Sequence, residues 1–108
     1  MLDDLKLIHE RDPHDALGTT EKQWQQLGQN FDLGDWQPPT DIQNVVHSGM
    51  GGSALWALLS TSWPGWKVPF EVVRGYDIPP YVGPGTLFIA SSYSGNTEET
   101  LTALSQAE

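Results

Sequence analysis

Hydrophobic and polar positions follow two rhythms along the chain. Before residue 41 the apolar residues are sparse and helically spaced. Leu2, Leu5 and Ile8 share one helical face, and the Pro13 region breaks that run. A second helix is predicted with Thr20 as its N-cap and Gln23 completing a capping box. Trp24, Leu27 and Phe31 then fall at i, i+3 and i+7, on one side of it. GDWQPPTD is rich in turn formers and reads as a linker.

From residue 42 the pattern alternates strand and helix. NVVHSG reads as a strand, and GSALWALLS as a helix with Leu55, Leu58 and Leu59 on one side. FEVVRG is a second strand. TLFIAS is a third, apolar on both faces as in a central parallel strand. NTEETLTALSQA is a closing helix, with Asn96 and Glu99 in capping-box spacing. The intervening GYDIPPYVGPG holds three prolines and three glycines and predicts no regular helix. It is close to the roughly twelve residues that a parallel crossover needs. The expected fold class is α/β with a mostly parallel sheet over 41–108. Residues 1–40 are expected to form a helical arm and linker that packs on the domain or on a partner chain.

Composition narrows the functions. The 108 residues suit one small domain, with 14 Asp and Glu against 5 Lys and Arg and a net charge of −9. That balance excludes a nucleic-acid partner held by a basic footprint. It also requires any anion site to be local, because the overall field repels anions. The absence of cysteine excludes thiolate zinc sites, iron–sulfur clusters and disulfides, and is compatible with the cytoplasm. No run approaches the 18 or so apolar residues of a membrane span. MLDDLKLIHERD carries acids where a signal peptide carries positive charge.

Two turns carry the candidate chemistry. SGMGGSA lies between the first strand and its helix, with glycines at 49, 51 and 52 and a hydroxyl at Ser53. Glycines let backbone N–H groups face outward, and the following helix adds unpaired donors and a partial positive charge. This makes an anion site without a lysine. SSYSGNT repeats the arrangement after the third strand, with Ser92, Ser94, Thr97 and Gly95. In a sheet of order 2-1-3 both turns flank the switch point where such folds bind ligands. The plainer reading is that a glycine turn packs a helix on a strand and hydroxyls cap it. Two such turns in matching positions favour a shared phosphate.

A dinucleotide site competes. Gly49, Gly51 and Ala54 satisfy G-x-G-x-x-A, and Glu71 follows about 20 residues later. Glu71, however, sits near the start of the second strand, whereas the ribose acid belongs at its end. Arg74 is nearer that end and suits a 2′-phosphate. The second turn has no role in that scheme. His47 at a strand end is read first as a buried, hydrogen-bonded residue and second as a ligand contact. Arg74 is read first as ordering the proline-rich crossover and second as helping to hold negative charge. Trp63 and Trp66 are read as packing beside a Pro-Gly turn rather than stacking on a sugar.

SGMGGSA, VVRGYDIP and TLFIASSYSGNTEETL together resemble the sugar isomerase (SIS) domain, over about residues 42–104. Within that family the N-terminal part of the bifunctional phosphoglucose/phosphomannose isomerases is most similar. SSYSGNTEET is a specific signal; the glycine turn alone is not. The resemblance implies a three-layer, flavodoxin-like parallel sheet, here cut short after about three strands. It implies that Gly51, Gly52 and Ser53 match the first sugar-phosphate turn, and that Ser92, Ser94 and Thr97 bind the phosphate. Glu99 matches the acid of the closing motif and is read as a cap. The implied chemistry is aldose–ketose isomerisation of glucose 6-phosphate or mannose 6-phosphate to fructose 6-phosphate. It proceeds in a cytoplasmic homodimer, with no metal or organic cofactor.

The family's catalytic glutamate, histidine, lysine and arginine lie beyond the second turn. His9, His14, His47, Glu98, Glu99 and Glu108 do not match them, so no catalytic residue is expected within 1–108. An N-terminal fragment of such an enzyme is the expectation. A non-catalytic phosphosugar-sensing module is the alternative. It is disfavoured because the arm, whose basic residues are Lys6, Arg11 and Lys22, is predominantly acidic rather than DNA-binding.

Overall fold

The computed structural model describes residues 4–37, 39–62 and 65–108. The chain divides into two units, Met1–Trp36 and Gln37–Glu108. In the first, helix α1 spans Leu5–Arg11 and is capped by Asp4, whose carboxylate accepts the Leu7 N–H at 3.2 Å. It ends at Asp12, just before Pro13. The predicted partner of Leu5 and Ile8, Leu2, lies outside the described residues. Helix α2 spans Ala16–Lys22. Its start is set by Asp12, whose carboxylate accepts the N–H groups of Ala16 and Leu17 at 2.9 and 2.8 Å. Those bonds, Leu17's first, hold the Asp12 carboxyl below its ordinary range.

The helix predicted from Thr20 through Phe31 is therefore corrected. Thr20 lies inside α2, where its hydroxyl donates back to the Ala16 carbonyl at 2.8 Å. The chain then tightens into a 3-10 helix over Gln23–Gly28, and Phe31 lies beyond it. The physical reason is that nothing pins the predicted stripe. Trp24, Leu27 and Phe31 are 69%, 91% and 76% exposed, so local capping decides where the helix runs.

The second unit is built on three parallel strands: β1 (Asn44–Gly49), β2 (Phe70–Val73) and β3 (Thr86–Ser91). Their order is β2-β1-β3, as expected. Helix α3 (Gly52–Thr61) follows β1, and helix α4 (Glu98–Ala107) follows β3. No helix interrupts 75–85. β2 stops at Val73, two residues short of the predicted Gly75.

β1 is the core strand, buried from Val45 through Gly49, so both its faces are covered. Side chains alternate across a strand, which puts Val45, His47 and Gly49 on one face. α3 covers that face, because Trp56 meets the His47 ring edge-on at 4.7 Å between centroids. α4 packs on β3 and β1 and is left to cover the face of Val46 and Ser48, with Thr100 and Ala103 buried in it. β3, read as a central strand from its apolar pattern, is an edge strand among the described residues and is half-buried rather than buried.

The crossover from β2 to β3 is ordered by side chains outside the sheet. The Tyr81 hydroxyl donates to the Glu71 carboxylate, and its pKa is pushed up to about 12, first by that bond. Gln106 of α4 donates to the Tyr76 carbonyl at 2.8 Å. Among the described residues these contacts, and no hydrogen bond from Arg74, tie down the proline-rich stretch. Trp66 stacks on Phe70 at 4.4 Å and donates to the Ser60 carbonyl at 3.0 Å, the packing role expected of it. Trp63 lies outside the described residues.

Candidate functional site

The two donor-rich turns stand at the same end of adjacent parallel strands. Gly49, the last residue of β1, is in register with Ser91, the last of β3. α3 sits over β1 and β2, which leaves that face of β3 open. The result is an open cleft of about 440 Å³ lined by Ser53, Trp56, Ala90, Ser91, Ser92 and Tyr93. The chain therefore brings Ser53 and Ser92 to one depression at the switch point of the sheet.

The first turn depends on backbone geometry. Gly51 has φ 51° and ψ −127°, a conformation essentially reserved for glycine, and it is the N-cap of α3. It offers no side chain to that role, so the first turn of α3 has no side-chain cap. Gly52 opens the helix with nothing within 4 Å of where a Cβ would stand. Gly49 has a different purpose. A Cβ there would lie 2.9 Å from His47 Cε1 and 3.1 Å from the Ser91 carbonyl. It is small to make room for a buried ring, not to expose an amide.

The second turn is a hydroxyl network. Ser92 Oγ and Thr97 Oγ1 are 2.8 Å apart. Ser94 Oγ lies 3.5 Å from each. The Gly95 N–H donates to Ser92 Oγ at 3.1 Å, and the Asn96 N–H to Ser94 Oγ at 3.2 Å. Gly95 takes φ 71° so that the chain can double back. This clusters Ser92, Ser94 and Thr97, with Ser92 joining the cluster to the cleft.

The cap of α4 differs from the prediction. The helix begins at Glu98 with Thr97 as its N-cap, so Asn96 and Glu99 form no capping box. The Thr97 hydroxyl makes no cap bond either, being engaged with Ser92. Both α3 and α4 thus start without a side-chain cap. In α3 the Ser53 and Ala54 N–H groups already donate to the Met50 and Gly51 carbonyls at 3.0 and 3.2 Å, whereas in α4 the first backbone bond is that of the Leu101 N–H to the Thr97 carbonyl, so the open donors lie mainly at the start of α4. Glu98 and Glu99 lie in the first turn of α4, where carboxylates complement the helix dipole. The Tyr76 hydroxyl is raised above its ordinary pKa, first by Glu99.

The residues of the dinucleotide reading do not converge. Glu71 is the second residue of β2, opposite Val46, and its carboxylate is engaged by Tyr81. Arg74 lines a separate hollow of about 620 Å³ formed by residues 71–81, on the far side of β1 from the cleft. His47 is fully buried, with Nε2 3.0 Å from Ser91 Oγ. Burial lowers its pKa. Ser91, which the sequence reading did not single out, lines the cleft and meets His47 across the sheet.

No family model matches the chain, and no solved structure matches it significantly. Among curated proteins it is similar to the bifunctional phosphoglucose/phosphomannose isomerase of Caldicellulosiruptor bescii, with 50% identity over 70 residues. That match covers 63% of this chain and 21% of the relative. The enzyme of the same description from Thermoplasma acidophilum is 47% identical over 66 residues, covering 61% and 21%. That from Aquifex aeolicus is 38% identical over 71 residues, covering 63% and 22%. The chain is thus related to these isomerases over about three-fifths of its length, and its matched part spans about a fifth of theirs.

Proposed function

We propose that the chain supplies the phosphate-binding turns of a sugar-phosphate isomerase of the SIS type, one that interconverts glucose 6-phosphate or mannose 6-phosphate with fructose 6-phosphate. One observation supports the reading: two helices without side-chain caps, each preceded by a glycine turn, follow neighbouring strands at the same end of the sheet, and the cleft there is lined by Ser53 and Ser92. A phosphate dianion accepts hydrogen bonds from many directions, which suits a ring of amides and hydroxyls. In this reading Ser92, Ser94 and Thr97 exchange their mutual hydrogen bonds for bonds to the phosphate. Gly51, Gly52 and Ser53 close the other side. The kinship to isomerases named for two hexose phosphates supports the substrate class. The residues lining the cleft include no carboxylate, lysine or arginine, and in this reading the part played by the chain is to hold the phosphate. The working unit of the whole enzyme is, in this reading, a cytoplasmic homodimer.

Titration calorimetry with fructose 6-phosphate tests the assignment. The chain should bind it, and Ser94→Ala and Thr97→Ala should each weaken binding about tenfold, the typical effect of losing a hydrogen bond to a charged group. Two variants that bind like the parent would show that the phosphate sits elsewhere.

A further inference from the structure

Beneath the phosphate turns lies a buried pair that this scheme does not use. His47 has no exposed surface, and Nε2 lies 3.0 Å from Ser91 Oγ. Nδ1 is buried without a hydrogen-bond partner. A neutral imidazole carries one N–H, and which nitrogen holds it decides what Ser91 can do. On Nδ1, that N–H would be buried and unpaired, the rarer and costlier kind of orphan. On Nε2 it donates to Ser91 Oγ and leaves only a lone pair unsatisfied. Ser91 then accepts from below, and its own proton is free to point into the cleft it lines. The Ser92 and Thr97 hydroxyls, by contrast, bond to each other at 2.8 Å. The ring is held in place by Trp56 edge-on and by the space left at Gly49.

We infer that Ser91 is an additional ligand-binding donor in the cleft, and that His47 is a positioning residue that aims its hydroxyl at an oxygen of the bound sugar phosphate. The inference rests on the reading of the cleft given above. Its first test needs no ligand. Long-range proton–nitrogen correlation spectra of the unliganded chain should show His47 as the neutral Nε2–H tautomer, and a neutral Nδ1–H tautomer would overturn the inference. The second test is calorimetry with fructose 6-phosphate. Ser91→Ala should weaken binding about tenfold. His47→Phe, which fills similar space without a donor, should weaken it equally. The double variant should be no weaker than either single one, because both remove the same interaction. His47→Gln, which keeps an N–H donor, should restore part of the loss. A Ser91→Ala chain with parental affinity, while Ser94→Ala and Thr97→Ala still bind weakly, overturns the role of Ser91 and leaves the phosphate turns standing. A parent chain that binds no fructose 6-phosphate overturns the sugar-phosphate reading itself, and the Ser91 contact with it.

Discussion

Gly49, Gly51 and Gly95 are glycine for two different reasons, which only the structure distinguishes. Gly51 and Gly95 have φ of 51° and 71°, whereas Gly49 yields space to the His47 ring and the Ser91 carbonyl. Gly51→Ala should lower the unfolding free energy by about 1–3 kcal/mol, since an L-residue is strained at that φ and ψ. Gly52→Ala, in open space at the first helical position, should change it by less than about 0.5 kcal/mol. Urea titration of both variants reads the difference; equal losses would refute the backbone argument. The clustering of Ser92, Ser94 and Thr97 was legible because the three hydroxyls flank one turn glycine within six residues, so the turn itself brings them together. Ser91 was not legible, because its importance depends on a histidine 44 residues earlier, reached only across the sheet.

At the scale of elements, β1 and β3 were legible to the residue. Each is a six-residue run bounded by turn formers, and the parallel pairing between them fixes both ends together. β2 and α4 were legible except at one end, where a backbone turn and not a propensity sets the boundary. The second helix of the arm was misread because an amphipathic stripe specifies a helix only when something buries it. The same logic applies to β3. Its outer edge is unpaired among the described residues, and Leu87, Phe88 and Ile89 are only half-buried. An open apolar edge is a template for another strand. The 108-residue chain should therefore sediment with a mass that rises with concentration; a single monomer boundary at every concentration would show the edge to be protected.

At the scale of the whole molecule the charge is the constraint. A net charge of −9 repels a phosphate dianion, so attraction must come from fixed amide dipoles and hydroxyls within a few ångströms. Salt separates these contributions. Raising ionic strength from about 0.01 M to about 0.15 M shortens the Debye length from about 30 Å to about 8 Å. It screens the long-range repulsion and leaves the short contacts largely intact. Affinity for fructose 6-phosphate should hold or rise with salt. A steep fall would point to a site built on Lys or Arg, which the cleft does not contain.

The central claim is that both turns hold one phosphate. Titrating a nitrogen-15-labelled chain with fructose 6-phosphate, while following each backbone amide, tests it most directly. The amides of residues 51–54 and those of 94–99 should shift together and fit a single dissociation constant. Shifts confined to one turn, or two turns that saturate at different concentrations, would contradict it.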